Sequence, residues 1–145
     1  MNRRPLISVM MAAYNAQDYI GEAIESVLNQ TIANWELIIV NDGSTDKTKE
    51  IVTQFSDVRI RYFENDRNMG LAYTRNRLMQ LARGDYLAVL DSDDRARPRR
   101  LELESDFLGA HPDVGLVGGG IRMMNEQGAY TGGKWIFHDP CHRVP

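Results

Sequence analysis

Residues 6–12 are an almost unbroken apolar run, LISVMMA, which predicts a strand buried on both faces rather than one with a wet side. The spacing then changes. Over 17–29, Ile20, Ala23, Ile24, Val27 and Leu28 recur at helical intervals and mark one apolar stripe. Asn15 stands where a capping residue belongs, with Asp18 three positions on. A short β-branched strand is predicted over 36–40, a turn over 41–45, and a helix over 46–56 with Ile51, Val52 and Phe55 inward. In 59–63 the alternation Arg59, Ile60, Arg61, Tyr62 predicts an edge strand with one wet face. A helix over 71–82 follows, with Leu71, Leu78, Leu81 and Ala82 inward and Gly84 as its C-terminal stop. Residues 86–90 read as a further buried strand, and Pro98 opens a helix that carries Leu101, Phe107 and Leu108 and closes at His111-Pro112. Beyond it, 114–117 predicts a fifth strand running through Gly118-Gly119-Gly120 towards Met124, with a turn at 126–128 and a returning strand over 130–137.

Strand and helix alternate four times, which predicts an α/β fold: a mostly parallel open sheet with helices on both faces. No repeat, linker or low-complexity tract interrupts it, and 145 residues suit a single domain with a real core. Arg3 and Arg4 before the apolar run imitate a signal peptide, but Tyr14-Asn15 interrupts the run and a helix follows at once, so the strand reading is preferred. No segment reaches the roughly eighteen apolar residues that cross a bilayer. A formal charge of −3 disfavours a nucleic-acid surface. The single cysteine, Cys141, forms no internal disulfide, fits a reducing compartment and offers no zinc set; His111, His138 and His142 lack ligand spacing.

Parallel strands bring their carboxyl ends to one rim, where open α/β sheets hold ligands. Tyr14-Asn15 follows the first strand, Asp42 the second, and Asp91-Ser92-Asp93-Asp94 the fourth. Crowded carboxylates call for a neutraliser, and a hard cation held by one or two of them plus phosphate oxygens is the usual one. A tyrosine face can stack on a base, and an aspartate can accept from a base edge or a ribose hydroxyl. The turn after the first strand, 12–17, has neither a Gly-rich phosphate cradle nor a Walker lysine. Phosphate charge therefore falls to a metal at the acidic cluster. Arg95, Arg97, Arg99 and Arg100 read best as a solvated helix start, and the methionines as core or filler.

These blocks carry a resemblance. PLISVMMAAYN (5–15), SVLNQT (26–31), ELIIVNDGSTD (36–46), NMGLA (68–72) with Arg75-Asn76, and LDSDD (90–94) with Pro98 resemble, in order and spacing, the family-two inverting glycosyltransferases of GT-A fold, over about residues 5–110. The resemblance implies a Rossmann-like donor domain that binds a nucleotide sugar, a UDP-sugar above others. It implies nucleotide contacts from Ala13, Tyr14, Asn15, Asp42, Arg75, Asp91 and Ser92. Asp91 resembles the first acid of the DxD motif and Asp93 the second, the ligand of Mn²⁺ or Mg²⁺. It implies transfer, with inversion, to a hydroxyl of a saccharide or lipid-linked acceptor. A cytoplasmic location is expected, with peripheral association of a full-length protein at the cytoplasmic face of the membrane.

The sequence departs from the family where the catalytic base is expected. That carboxylate lies downstream of DxD, commonly in a Glu-Asp pair, and this chain contains none. The expectation is a donor-binding portion without its acceptor half, and with no base of its own. A phosphoaspartyl phosphotransferase would want a nucleophilic Asp within 12–16, and a nucleotidyltransferase a Gly-rich basic loop. Neither is present. A non-catalytic nucleotide- or sugar-binding module remains the alternative.

Overall fold

The structure is a computed structural model that describes residues 5–135. Phe137, His138, Cys141 and His142 lie outside the described residues. The chain divides into two compact units at Leu101/Glu102.

The first unit is a four-stranded, all-parallel sheet of order β3-β2-β1-β4, built from β1 (Ile7–Ala13), β2 (Trp35–Asn41), β3 (Ile60–Glu64) and β4 (Tyr86–Val89). Central strands bury both faces, so their side chains alternate between two cores. Ile7, Val9, Met11 and Ala13 of β1 and Leu37 and Ile39 of β2 join one cluster. Met10, Ile38 and Val40 join the other. Leu37, Ile38, Ile39 and Val40 are all wholly buried, and each such side chain contributes about 2 kcal/mol on folding.

Helix α1 (Ile20–Leu28) seals the first core with Ile20, Ala23, Ile24 and Val27, helped by Val52 of α2 (Thr48–Val52) and by Leu101. Helix α3 (Leu71–Leu81) seals the second with Leu78, flanked by Leu81 and Ala82. Helices on both faces of a parallel sheet are as expected, and β3 is an edge strand as its alternation predicted.

Several expectations are corrected. Asn15 does not cap α1: the helix begins at Ile20 behind Tyr19, and Asn15 is committed to another loop. Helix α2 is shorter than the predicted 46–56. Leu71, the first residue of α3, is exposed rather than inward. Gly84 is not a positive-φ stop; α3 ends at Ala82 in an extended conformation. A Cβ on Gly84 would lie 2.5 Å from the Ser8 nitrogen, so the residue's small size lets the chain cross against β1. The fourth strand is an edge of this sheet, and its Leu87 and Val89 are exposed.

A buried polar clamp fixes the far end of α3. Glu36 accepts from Ser8 Oγ (2.6 Å), from the Arg83 amide (2.8 Å) and from Arg61 (2.7 Å), and Arg61 also reaches the Leu81 carbonyl (2.8 Å). Burial works against ionisation of Glu36, but the bonds from Ser8, Arg61 and Arg83 outweigh it and hold its pKa below the usual value.

Helix α4 (Arg100–Ala110) leads into the second unit, where Phe107 and His111 stack at 4.2 Å. The predicted fifth strand at 114–117 is irregular. Pairing starts at β5 (Ile121–Met124), antiparallel to β6 (Tyr130–Trp135). The turn between them sits where predicted, with Asn125 Oδ1 accepting from Gln127 and Ala129 and Gly128 at φ 75°. Among the described residues no helix is long and apolar enough to cross a membrane.

Candidate functional site

All four strands of the first sheet run the same way, so Tyr14, Asp42, Asn65 and Asp91 leave it at one rim. Residues 13–17 and 41–48 interlock there. The Ala13 carbonyl accepts from the Asp42 amide (2.8 Å), and Ala13 itself is buried. Asn15 takes a left-handed conformation (φ 48°), which asparagine tolerates. That turn aims its Oδ1 at the Thr45 amide (2.9 Å), while its own amide donates to Ser44 Oγ (2.9 Å). Asp46 accepts from the Gln17 and Thr48 amides (both 3.0 Å), and Thr48 Oγ1 accepts from the Ala16 amide (2.8 Å). Tyr14 is left half exposed at the tip.

Asp42 is not an open acceptor. It is 4% exposed, and its carboxylate accepts from Asn65 Nδ2 (2.5 Å) and from the amides of Met69 (2.9 Å) and Gly70 (2.9 Å). Burial opposes its ionisation, but the bonds from Asn65, Met69, Thr74 and Gly70 dominate and lower its pKa. Its neighbour Gly43 has φ 70° and lies against the backbone of Arg67 and Asn68, where a Cβ would come within 2.5 Å. The 41–45 turn thus carries the 65–70 loop. Asn65 also donates to Thr74 Oγ1 (3.0 Å) and accepts from Arg77, which holds the Glu64 carbonyl (2.6 Å). Asn65, Thr74 and Arg77 were missed in the sequence. Asn65 obeyed the same rule that singled out Asp42, a polar residue immediately after a strand. A cleft of about 640 Å³ opens beside this loop, lined by Asn65, Arg67, Tyr73 and Arg77 among others.

The acidic turn lies at the opposite edge strand. Asp91 is paired with Arg75 of α3 at 2.9 Å, with both side chains about half exposed. They stand at the mouth of a smaller apolar cleft, about 160 Å³, walled by Met10, Ala12, Leu78, Met79 and Val89. Ser92 is partly buried; Asp93 is exposed and, among the described residues, accepts no hydrogen bond and forms no ion pair. The pKa of Asp94 is raised, first by burial and then by the charges of Asp93 and Asp91, with Arg100 opposing. Three acids thus crowd one turn, and the exposed Asp93 among them has a carboxylate free to meet a cation. Among the described residues no three His, Cys, Asp or Glu side chains converge into a cage, so a cation there would draw its remaining ligands from outside the protein.

An α/β sheet with acids and a tyrosine at its carboxyl rim has the layout in which open α/β folds hold ligands outside their strand ends. The Glycosyl transferase family 2 pattern matches residues 8–141, and the chain belongs to that family. It is 41% identical over 131 residues to the glycosyltransferase EpsE of Bacillus subtilis, covering 88% of this chain and 47% of EpsE. It is 43% identical over 103 residues to WfgD of Escherichia coli, named as a UDP-Glc:alpha-D-GlcNAc-diphosphoundecaprenol beta-1,3-glucosyltransferase, covering 71% of this chain and 41% of that one. Among solved structures, S. aureus TarS in complex with UDP-GlcNAc superposes with a TM-score of 0.70 at 28% identity, over 73% of this chain and 32% of that one. The mannosyltransferase PcManGT of Pyrobaculum calidifontis, in complex with GDP-Man and Mn²⁺, gives 0.67 at 25% identity, over 86% of this chain and 37% of that one. The fold is therefore GT-A, Rossmann-like, as the resemblance implied. The chain spans less than half the length of each of these relatives.

Proposed function

We propose that this chain is the donor-binding part of an inverting glycosyltransferase that moves a sugar from a nucleoside diphosphate, UDP for preference, to an acceptor hydroxyl on a saccharide or lipid-linked saccharide. The observation that carries the reading is the Arg75–Asp91 pair at a cleft mouth, beside an acidic turn whose Asp93 is exposed and has no partner among the described residues, at the carboxyl rim of a GT-A sheet. Relatives named for UDP-Glc, UDP-GlcNAc and GDP-Man support the donor class, and WfgD supports a lipid-linked acceptor. Relatives named for teichuronic acid and colanic acid biosynthesis make polysaccharide synthesis the fitting setting, and a lipid-linked acceptor would bring the site to a membrane surface.

In this reading Tyr14 offers its exposed face to the base, and the Ala13–Asn15 turn shapes that end of the site. Asp42 serves the nucleoside end by holding the 65–70 loop in place, and by whatever acceptor capacity its oxygens retain. Arg75 holds Asp91 and presents positive charge towards the diphosphate. Asp93, with Asp91 and Ser92 beside it, would hold Mn²⁺ or Mg²⁺. When bound, that ion supplies Lewis-acid stabilisation of the charge growing on the departing diphosphate. All these residues lie within the first unit.

The test is a thermal melt with UDP, GDP and CMP, with and without Mn²⁺. UDP with Mn²⁺ at about a hundred times its dissociation constant is expected to add roughly 2.7 kcal/mol. Asp93→Ala is expected to remove the metal-dependent part. A melt unmoved by every nucleotide, CMP included, yet moved by a phosphomonoester that is not a nucleotide, would turn the assignment to a phosphotransferase.

A further inference from the structure

Helix α1 carries a row of polar residues that the mechanism above does not use. Glu22, Ser26 and Gln30 are four apart, so they share one side of the helix and its exit. Each reaches the segment that follows the acidic turn. Glu22 pairs with Arg95. Ser26 Oγ accepts from the Ala96 amide (3.0 Å) and donates to the Ala23 carbonyl (2.7 Å). Gln30 Nε2 donates to the carbonyls of Arg97 (2.8 Å) and Ser26 (3.0 Å), and its Oε1 accepts from the Leu101 amide (3.0 Å). Next to it the Thr31 amide donates to the Pro98 carbonyl (2.8 Å).

Gln30 is 8% exposed, and both ends of its amide are used. The Leu101 amide belongs to the first turn of α4, which has no partner within its own helix. Gln30 therefore caps α4 from a distant element and pins the approach to it in the same stroke. The acidic turn is held at one end by β4 and by Arg75 on Asp91, and at the other by α1. Between those anchors Asp93 has no hydrogen-bond partner of its own among the described residues. Its position is set by its neighbours on either side.

We propose that Gln30, with Ser26, is a positioning residue for the acidic turn: it pre-sets the loop on which Asp93 meets a cation and diphosphate, so that little ordering is left for the moment of binding. The inference rests on the donor-site reading above. Gln30→Glu is the informative variant. It keeps an acceptor for Leu101 but turns an oxygen towards two carbonyls. Ser26→Ala is the milder second variant, which loses the acceptor for Ala96 and the local bond to the Ala23 carbonyl within α1.

Titration calorimetry on the full chain with UDP alone, and with UDP plus Mn²⁺, separates the outcomes. Both variants are expected to lose about tenfold or more of the metal-dependent gain in UDP affinity, with metal-free UDP affinity within about twofold of the unaltered chain. Amide exchange over 91–99 should quicken in both. A metal-dependent gain that survives intact in either folded variant overturns the positioning role, as does an equal loss with and without metal. If the unaltered chain shows no metal-dependent gain, the donor-site reading falls and this inference falls with it.

Discussion

Replacing Asp42 by asparagine separates a structural carboxylate from a ligand contact. The change keeps the shape and removes the charge. Hydrogen bonds to a charged group contribute about 1.5–3 kcal/mol each. The asparagine oxygen can retain the bonds from Asn65 and Met69, but its NH₂ then faces the Gly70 amide, a donor against a donor. Gly70 keeps a second acceptor in Asn68 Oδ1 at 3.0 Å, which softens the loss. One charge-assisted bond is lost and those from Asn65, Met69 and Thr74 are weakened, so we expect about 2 kcal/mol of destabilisation. For a unit of this size that is a fall of about 10 °C in Tm, read by circular dichroism with no nucleotide present. The pH dependence follows from the lowered pKa of Asp42. Its contribution is complete above the ordinary carboxylate value of 3.8 and is lost as pH falls through the lower folded value. The gap between the two proteins should therefore hold from about pH 7 to about pH 5 and close in stronger acid. An Asp42→Asn variant that melts within about 2 °C of the parent at neutral pH, yet cannot bind nucleotide, would refute the reasoning and return Asp42 to the role of a simple base contact.

Two further perturbations probe the same scaffold. Gly43→Ala forces a Cβ to within 2.5 Å of the Arg67 carbonyl carbon at φ 70°; because the obstacle is backbone, we expect a loss of about 3 kcal/mol or more in urea denaturation, and a loss below about 1 kcal/mol would contradict the packing described. Glu36→Ala leaves Arg61 and the Arg83 amide without their acceptor, at an expected cost of about 3 kcal/mol. Since the Glu36 pKa is lowered, the penalty should be full at neutral pH and fade as pH drops below the ordinary 4.5; a penalty that grows in acid would reverse the sign of the argument.

The layered architecture could be read directly from the chain. A run in 6–12 that is apolar but for Ser8 has no wet side to offer, so it must be a central strand, and the 3.6-residue stripe of Ile20, Ala23, Ile24 and Val27 has only one face to bury. The order of elements then placed Tyr14, Asp42 and Asp91 at one rim, because parallel strands end together. Such properties are local, or follow from connectivity, and side-chain chemistry alone expresses them.

What each rim residue does there was not legible. Asp42 looked like a free acceptor until donors from 23 to 28 positions away closed over it. Asn15 looked like a helix cap, but folding brings the 41–45 turn against it and α1 starts only at Ile20. Ser26 and Gln30 carried no evident task until α1 was laid beside residues 95–101, about seventy positions on. A polar side chain is neutral about its partner in sequence: the same carboxylate or amide can cap, clamp or bind. Which of these it does depends on the donors that folding brings within about 3 Å, and those come from distant segments. Periodicity could place a residue at the rim; only the assembled neighbours could say whether its lone pairs were already taken.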